Sequence, residues 1–422
     1  MNIPGYSLKI PNSYTVLNDR LCKLLPKYHK QIYSFLKTIK TLGKIINNFS
    51  KPSTGLNITY CLKSLKKIKL LQYYGKTLQD VFDYFKLPIE AQGLLASQWP
   101  DFLLPPDQLS FFAWLVLFDG YMGGAYYPKN HFEHVINSLI KIIKENNGTV
   151  IFNEKVVSFK ILNKKIESIS TVSTVDCSKK NTYSAKKIIC NIDPQTVTKM
   201  IGYENFSSKI IKKISYDYSY SNFVAYAAVE NLDLRNYGFG NWNIFHSDHV
   251  DINTSFNEMY YKNNYRKPSF AITTPSLVTK DTTGCPDNHQ IIQLLTVANY
   301  SHFNDLKLRN QKTYIQRKKE IFNCILDSIE KNYIPDIRKN ISFKMLGSPT
   351  TNKSYCLAPE GNSYGSNMTP KNINLQRLNH ETSIKNFYFC NASSGFAGFT
   401  KCFQNGAALY EKLSGDIVPT YV

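Results

Sequence analysis

Acidic residues are scarce in this chain: 31 Asp and Glu face 51 Lys and Arg, leaving a formal charge of +20. Such an excess suits a polyanionic partner. The lysines are scattered among Asn, Ile, Tyr and Phe, however, with no run of five, so no nucleic-acid face is expected. Long apolar runs are missing too. The most apolar stretch, LSFFAWLVLF from Leu109 to Phe118, falls well short of the roughly 20 residues a membrane-crossing helix needs. The opening MNIPGYSLKIPNSYTVL holds prolines and no apolar core, so no signal peptide is expected. Nine cysteines, an odd number, form no CxxC pair. That usage fits lone buried thiols in a reducing, cytoplasmic compartment better than a disulfide framework or a zinc site. Neither a P-loop nor a GxGxxG following a strand occurs.

Two patterns look like chemistry and fail on context. GNSYG (Gly361 to Gly365) has the letters of a hydrolase nucleophile elbow, but Pro359 precedes it and SNMTPKN follows, where a strand and a helix are required. HFEH (His131, His134) and HSDH (His246, His249) each offer two metal ligands with no third in view. A helix surface is the expected role, and no metal is assigned.

What is present is a large globular core: 43% of the residues are hydrophobic and 14% aromatic, enough for two or three domains. Apolar residues recur at three and four from Val16 to Asn48, which predicts helix. The segment from Tyr60 to Leu78 alternates Leu and Ile with Lys as a basic amphipathic stretch, a candidate for peripheral contact with anionic lipid. Pro105-Pro106 force a turn before the next helix. After Pro128, Phe132, Val135, Ile136, Leu139, Ile140 and Ile143 make one helix face, closed by Gly148. TVIFNEKVVSFKIL alternates as a strand does, Asn163-Lys164-Lys165 turns it back, and KKIICN returns as a buried strand before the helix opened by Pro194. More strands follow in NFVAYAAVENL, NWNIFHS, SFAITTPSL and QIIQLLTVANY, then a helix near Tyr314 to Glu330 and a loop-rich region. The chain ends as strand, glycine turn and helix. The expected segments are a mainly helical part (1–125), an α/β part with a three-stranded meander (126–200), a β-rich part with a helix (201–340) and a C-terminal segment (341–422).

The ordered combination is specific. ASQWPDFLLPPDQLSFFAWLVLFDGYMGGAYYP, an amphipathic helix, GTVIFNEKVVSF, KKIICNIDPQTV, SPTTNKSYCLAPEGNSYG and NFYFCNASSGFAGFTKCFQNGAALYEKLSGD together resemble the FAD-dependent phytoene desaturase, carotenoid isomerase and retinol saturase flavoproteins. The resemblance runs from about Val16 to Asp416. It implies an α/β fold of the FAD/NAD(P)-binding, amine-oxidase type, with its nucleotide domain interleaved with a mixed α+β substrate domain. FAD is the implied cofactor, and a long apolar isoprenoid or polyene the implied substrate. Gly123 and Gly124 then lie close to the flavin, with Tyr126, Tyr127, Phe118 and Trp114 walling the cavity. Val156 meets the adenine by its backbone, Asn191 ends the returning strand, and Gly395, Phe396, Gly398 and Gly406 form the C-terminal flavin turn and helix. Asp119, Tyr126 and His131 lie near that region, but no catalytic acid or base is assigned.

The sequence also departs from the pattern. Relatives open with a strand, GxGxxG and helix that hold the pyrophosphate, and this chain starts beyond that point. Asn130-His131 stand where a glycine pair is usual, Cys390-Asn391 where the last strand ends in glycine, and Lys401-Cys402 interrupt the final glycine-rich turn. An incomplete nucleotide domain is therefore expected, with open strand edges and bare apolar surface. Either a second chain supplies the missing unit, or the unit precedes this stretch in the same reading frame, or the protein is a truncated relative that binds an apolar lipid or a partner without turnover.

Overall fold

The computed structural model describes residues 1–49, 70–279, 284–373, 376–395 and 397–419. Most of the basic Tyr60–Leu78 segment, and Phe396, lie outside the described residues.

In chain order the structure begins with two short antiparallel strands, β1 (Asn2–Ile3) and β2 (Tyr6–Ser7). Helices α1 (Tyr14–Leu24), capped by the Ser13 hydroxyl, and α2 (His29–Phe49) follow. The break between them falls at Leu25-Pro26, because proline lacks the N–H that would continue the helix. Next come α3 (Leu78–Tyr84), α4 (Ile89–Ala96) and α5 (Phe111–Met122). Helix α3 starts with a reciprocal capping box between Thr77 and Asp80. Helix α6 (His131–Glu145) leads into strands β3 (Glu154–Leu162), β4 (Lys165–Ser173), β5 (Lys180–Tyr183) and β6 (Ile188–Cys190). Helices α7 (Pro194–Ile201) and α8 (Ser208–Ile214) precede β7 (Ser221–Glu230) and β8 (Ile244–Ser247). The rest is α9 (Ile252–Phe256), β9 (Ser269–Thr273), β10 (His289–Ala298), α10 (Tyr300–Arg309), α11 (Gln311–Asn332), β11 (Ile341–Gly347), α12 (Pro349–Cys356), β12 (Phe387–Phe389) and α13 (Phe399–Ser414).

These elements form two compact units, each made of discontinuous chain. The first holds Met1–His131, Tyr220–Ser363 and Met368–Ile373; the second holds Phe132–Ser219, Tyr364–Asn367 and Asn374–Val422.

The first unit is built on a sheet of order β11-β7-β10-β9-β8-β1-β2. Alternation along β7 places Phe223, Ala225, Ala227 and Val229 inside, as a strand with one buried face requires. Helix α11 buries Ile321, Phe322, Ile325 and Ile329. A second core lies among the helices, where Phe35, Phe82, Phe111, Trp114 and Phe118 are all at most 1% exposed.

The second unit holds two small sheets. One is the antiparallel meander β3-β4-β5, the expected three-stranded insertion. Its first turn uses Asn163 and Lys164 at φ of 53° and 58°, as a tight hairpin demands. Glu154 ties the three strands together, accepting from the hydroxyls of Thr171 and Tyr183 and the amide of Asn181. Those bonds, Thr171's foremost, hold its carboxyl below the usual range. The other sheet is the parallel pair β6-β12, whose inner face packs Ile188, Cys190, Phe387 and Phe389 against Val197, Ile201, Phe206 and Ile214. The two sheets are joined by the Lys385 N–H, which donates to the Lys164 carbonyl, by the Phe159 and Phe387 rings, and by one buried side chain. Buried Asn386 accepts from the Ile166 N–H at 2.9 Å and donates to the Ile166 carbonyl at 3.0 Å, so a single amide stands in for a strand neighbour.

Two sequence expectations change here. The strand expected to begin at Thr149 begins at Glu154 instead. Thr149 to Phe152 have no strand partner, and Ile151 and Phe152 are 51% and 66% exposed. The stretch treated as loop-rich contains β11, an edge strand with no buried residue and so little apolar signal.

Candidate functional site

In the second unit, β6 and β12 run parallel and end together at Cys190 and Phe389. Ligands of open α/β sheets bind beyond such carboxyl ends. Exposed Asn191 leaves β6 there, and Asp193 caps α7 through the Thr196 N–H while accepting from Tyr216 and Tyr218. Burial and the neighbouring Asp193 carboxylate push the Tyr216 phenol well above its ordinary range.

The turn after β12 is fixed by its own side chains. Asn391 Oδ1 accepts from the N–H groups of Ser393 and Ser394, and Asn391 Nδ2 donates to the Ile192 carbonyl. Beneath it, Arg377 donates to the carbonyls of Ala392 and Gly395. That guanidinium is 5% exposed, and burial lowers it to about 10. Asparagine at 391 thus occupies the place where glycine was anticipated, and it makes the turn by hydrogen bonding instead of backbone freedom. Gly398, at φ 105°, opens α13 with no neighbour against a would-be Cβ, which suits close approach of a ligand to the helix N-terminus. A side chain at Gly395 would meet Asn405, while Gly406 lies mid-helix in open space. Val156 sits half-buried on β3, paired with Thr171.

The remaining sequence candidates belong to the first unit. Gly123 caps α5, and Gly124 (φ 109°) would bring a Cβ to within 3.2 Å of the Tyr126 hydroxyl. Tyr126 is 91% exposed. Tyr127 is less so, and its phenol is raised by burial and then by Tyr226. The structure places Trp114 and Phe118 in the helical core, stacked 4.5 Å apart, with the Trp114 indole N–H donating to the Leu95 carbonyl. Asp119 accepts from the Tyr14 hydroxyl at 2.7 Å and packs against Gly43. His131 takes φ 67° and lines a cavity of about 180 Å³ with Ser276, Thr279, Cys285 and His289. A second cavity, of about 460 Å³, is bounded by Asn263, Arg266, Arg317, Glu320 and Cys324. Both are polar.

Sequence reasoning missed Asp101. Its carboxyl is raised to about 7 by burial, against the opposing effect of the Tyr121 hydroxyl bonded to it at 3.2 Å. The available signal was a lone acid inside the apolar run from Gly93 to Leu104. The structure also brings Ser328, His246 and Asp248 together. Ser328 and Asp248 share one ring nitrogen, Nε2, at 3.0 and 3.2 Å, while a hydrolytic triad needs them on opposite nitrogens. The other nitrogen meets the Tyr333 hydroxyl, which also accepts from Asn2, so the cluster fastens β1.

The described residues fit part of an FAD site. They offer the carboxyl ends of two parallel strands, a preformed turn and a helix N-terminus, but no GxGxxG cradle for the pyrophosphate.

No protein-family model matches the chain. It is 23% identical over 415 residues to all-trans-retinol 13,14-reductase of Danio rerio, covering 90% of this chain and 65% of that protein. It is 23% identical to the chloroplastic prolycopene isomerase of Daucus carota, covering 92% and 62%. The chain thus spans a little under two thirds of the length of these relatives. Among solved structures, it resembles a putrescine oxidase variant (TM-score 0.56, 8% identity, 90% and 74% covered). Cyclohexylamine oxidase of Brevibacterium oxydans gives 0.51, with 11% identity and 90% and 75% covered. An oxidoreductase of Methanosarcina mazei gives 0.52, with 13% identity and 84% and 74% covered. Sequence and fold converge: the chain is similar over nine tenths of its length to a retinol reductase and to prolycopene isomerases, and it shares the fold of putrescine and cyclohexylamine oxidases.

Proposed function

We propose that the protein is the larger part of an FAD-dependent oxidoreductase acting on a long apolar isoprenoid or polyene. The observation that carries this reading is the similarity, across nine tenths of the chain, to a retinol reductase and to prolycopene isomerases. The preformed turn from Asn391 to Gly395, at the ends of β6 and β12, and the open helix end at Gly398 support it. FAD supplies the redox chemistry when bound. This chain's residues orient it: Asn391 and Arg377 hold the turn, and Gly398 leaves the helix end open. A GxGxxG cradle for the pyrophosphate lies outside this stretch of sequence.

An absorbance spectrum of the purified chain, before and after FAD, tests the reading. A flavin band that survives gel filtration is the expected result when the cradle is supplied, with weak or no retention by the chain alone. Gly398→Val, which forces a β-branched side chain to φ 105°, should weaken retention at least about tenfold. Failure of the completed protein to retain any flavin would sink the assignment.

Among the described residues, no helix is long and apolar enough to cross a membrane. Peripheral contact through the basic Tyr60–Leu78 segment is part of the proposal. The chain should float with anionic liposomes at low salt and release as salt rises; no flotation at low salt removes that part.

A further inference from the structure

An antiparallel sheet that packs one face on the core commonly turns polar side chains to the other. The sheet of the first unit does not. The face of β7 opposite Phe223 and Ala225 carries Val224, Tyr226 and Ala228, and directly paired residues on the neighbouring strands share it. Val224 pairs with Leu295 of β10. Tyr226 lies between Met345 of β11 and Gln293 of β10, and Ala228 between Phe343 and Ile291. Lys344, between Phe343 and Met345, goes to the other side, over the buried Phe322 ring. Tyr226, Phe343 and Met345 are 44%, 59% and 58% exposed. The result is an open apolar strip with one amide, Gln293, in it. At about 3.4 Å per residue it runs about 20 Å from Val224 to Glu230.

The strip ends in polar groups. Its last row pairs Glu230 with His289, whose Oε2 and Nε2 lie 3.4 Å apart. His289 Nδ1 is 2.9 Å from the Asp287 carbonyl, which can only accept. The neutral ring therefore carries its proton on Nδ1 and leaves Nε2 as an acceptor. Two acceptors then stand side by side, an arrangement that one incoming O–H satisfies. His289 also walls the cavity of about 180 Å³ with His131, Ser276, Thr279 and Cys285. Asp287 is in that wall, and among the described residues no lysine or arginine lines it. The segment from Tyr127 to His131 connects strip and cavity. Tyr127 is within electrostatic reach of Tyr226, and the Lys129 carbonyl accepts from Thr279 Oγ1.

We propose that strip and cavity together bind a polyene ending in a neutral hydroxyl, its chain laid along β7 and its O–H donating to the Glu230–His289 pair. This deepens the flavoprotein reading and rests on it for the polyene. Similarity alone does not choose the end group, since it runs to a retinol reductase and to prolycopene isomerases alike. The chemistry at the end of the strip does choose. The Glu230 and Asp287 carboxylates repel a carboxylate or phosphate. A bare hydrocarbon would cover the two acceptors and leave both unpaired. A hydroxyl satisfies them, and its oxygen can accept in turn from Ser276 or Thr279 in the cavity wall. The length of about 20 Å suits a retinoid better than a full carotenoid. Contiguous exposed apolar surface rimmed by polar groups is the usual form of such a ligand site.

The test titrates the full chain, without FAD, and reads the quenching of tryptophan fluorescence. The probes are all-trans-retinol, retinoic acid, retinylamine and the analogue with hydrogen in place of the hydroxyl. Retinol should bind about tenfold more tightly than each of the others. Met345→Glu and Phe343→Glu, on the exposed edge strand, should each weaken retinol at least about tenfold by placing a charge under the polyene. His289→Phe should weaken retinol about fivefold or more and leave the hydroxyl-free analogue unchanged, a split that a general loss of structure does not give. Val175→Lys, on the exposed meander loop, should bind as the parent does. Unfolding midpoints show which variants are folded. The proposal is overturned if retinol does not bind, if the acid, the amine or the hydrocarbon binds as well or better, or if folded glutamate variants bind retinol normally. A homodimer in sedimentation whose contact protects 343–345 from hydrogen exchange also overturns it. The flavin outcome is read separately. A chain that binds retinol but retains no FAD when completed sinks the flavoprotein reading and leaves this site standing; flavin retention without retinol binding does the reverse.

Discussion

Alanine at position 386 should cost the protein about 2–5 kcal/mol of stability in urea unfolding. The Asn386 amide is the only described side chain that bonds both backbone groups of Ile166, and both groups are buried. Removing it strands a donor and an acceptor, each at about 1–3 kcal/mol. Asn386→Asp is the informative control. It keeps the acceptor for the Ile166 N–H but loses the donor for the carbonyl and buries a charge, so it should be at least as damaging. A loss under 0.5 kcal/mol for the alanine variant would mean that packing and the Lys385-to-Lys164 backbone bond suffice to hold the two sheets of the second unit.

The second large effect depends on pH. Asp101 carries a folded pKa raised from 3.8 to about 7. The folded state therefore holds that proton more tightly than the unfolded chain. Its favourable contribution is complete below about pH 4 and is lost as pH rises through about 7. Above that, the ionised carboxylate opposes folding by about 3 kcal/mol, from 1.36 kcal/mol per pKa unit reduced for its partial access to water. Asp101→Asn, which can still accept from Tyr121, should be more stable than the parent at pH 8 and about equal to it at pH 4. Unfolding midpoints measured from pH 4 to 8 decide the matter, and parallel curves for the two proteins would refute it.

Local periodicity made much of this structure readable in advance. The 3.6-residue recurrence fixed α6 and α11, and the two-residue alternation fixed β7 and β10, because each pattern is carried entirely by the residues of one element. The Asn163-Lys164 turn was equally local. Other features depend on partners far along the chain. Thr149 to Phe152 have a strand's pattern, but alternation does not say whether a neighbour exists to pair with. Trp114 and Phe118 read as cavity aromatics, although their stacking on one another inside the helical core follows from which helices meet. Asn386, Arg377 and Asp101 are single polar residues whose importance comes from burial, which no short window reveals. The family resemblance supplied the C-terminal turn as a candidate site. It could not show that Asn391 would build that turn with hydrogen bonds.

The pairing of Ile166 with Asn386 spans 220 residues, and this has a consequence for how the protein is made. At about 5–20 residues per second, a ribosome needs roughly 10–40 s to pass from one to the other. Throughout that interval β6 has no β12 beside it, and the apolar stripe of α6 is already synthesised. The first unit cannot close early either, since its sheet waits for β11. The nascent chain is therefore a long-lived client for chaperones. Synonymous changes that slow translation between β6 and β12 should lower soluble yield without altering a single residue of the finished protein.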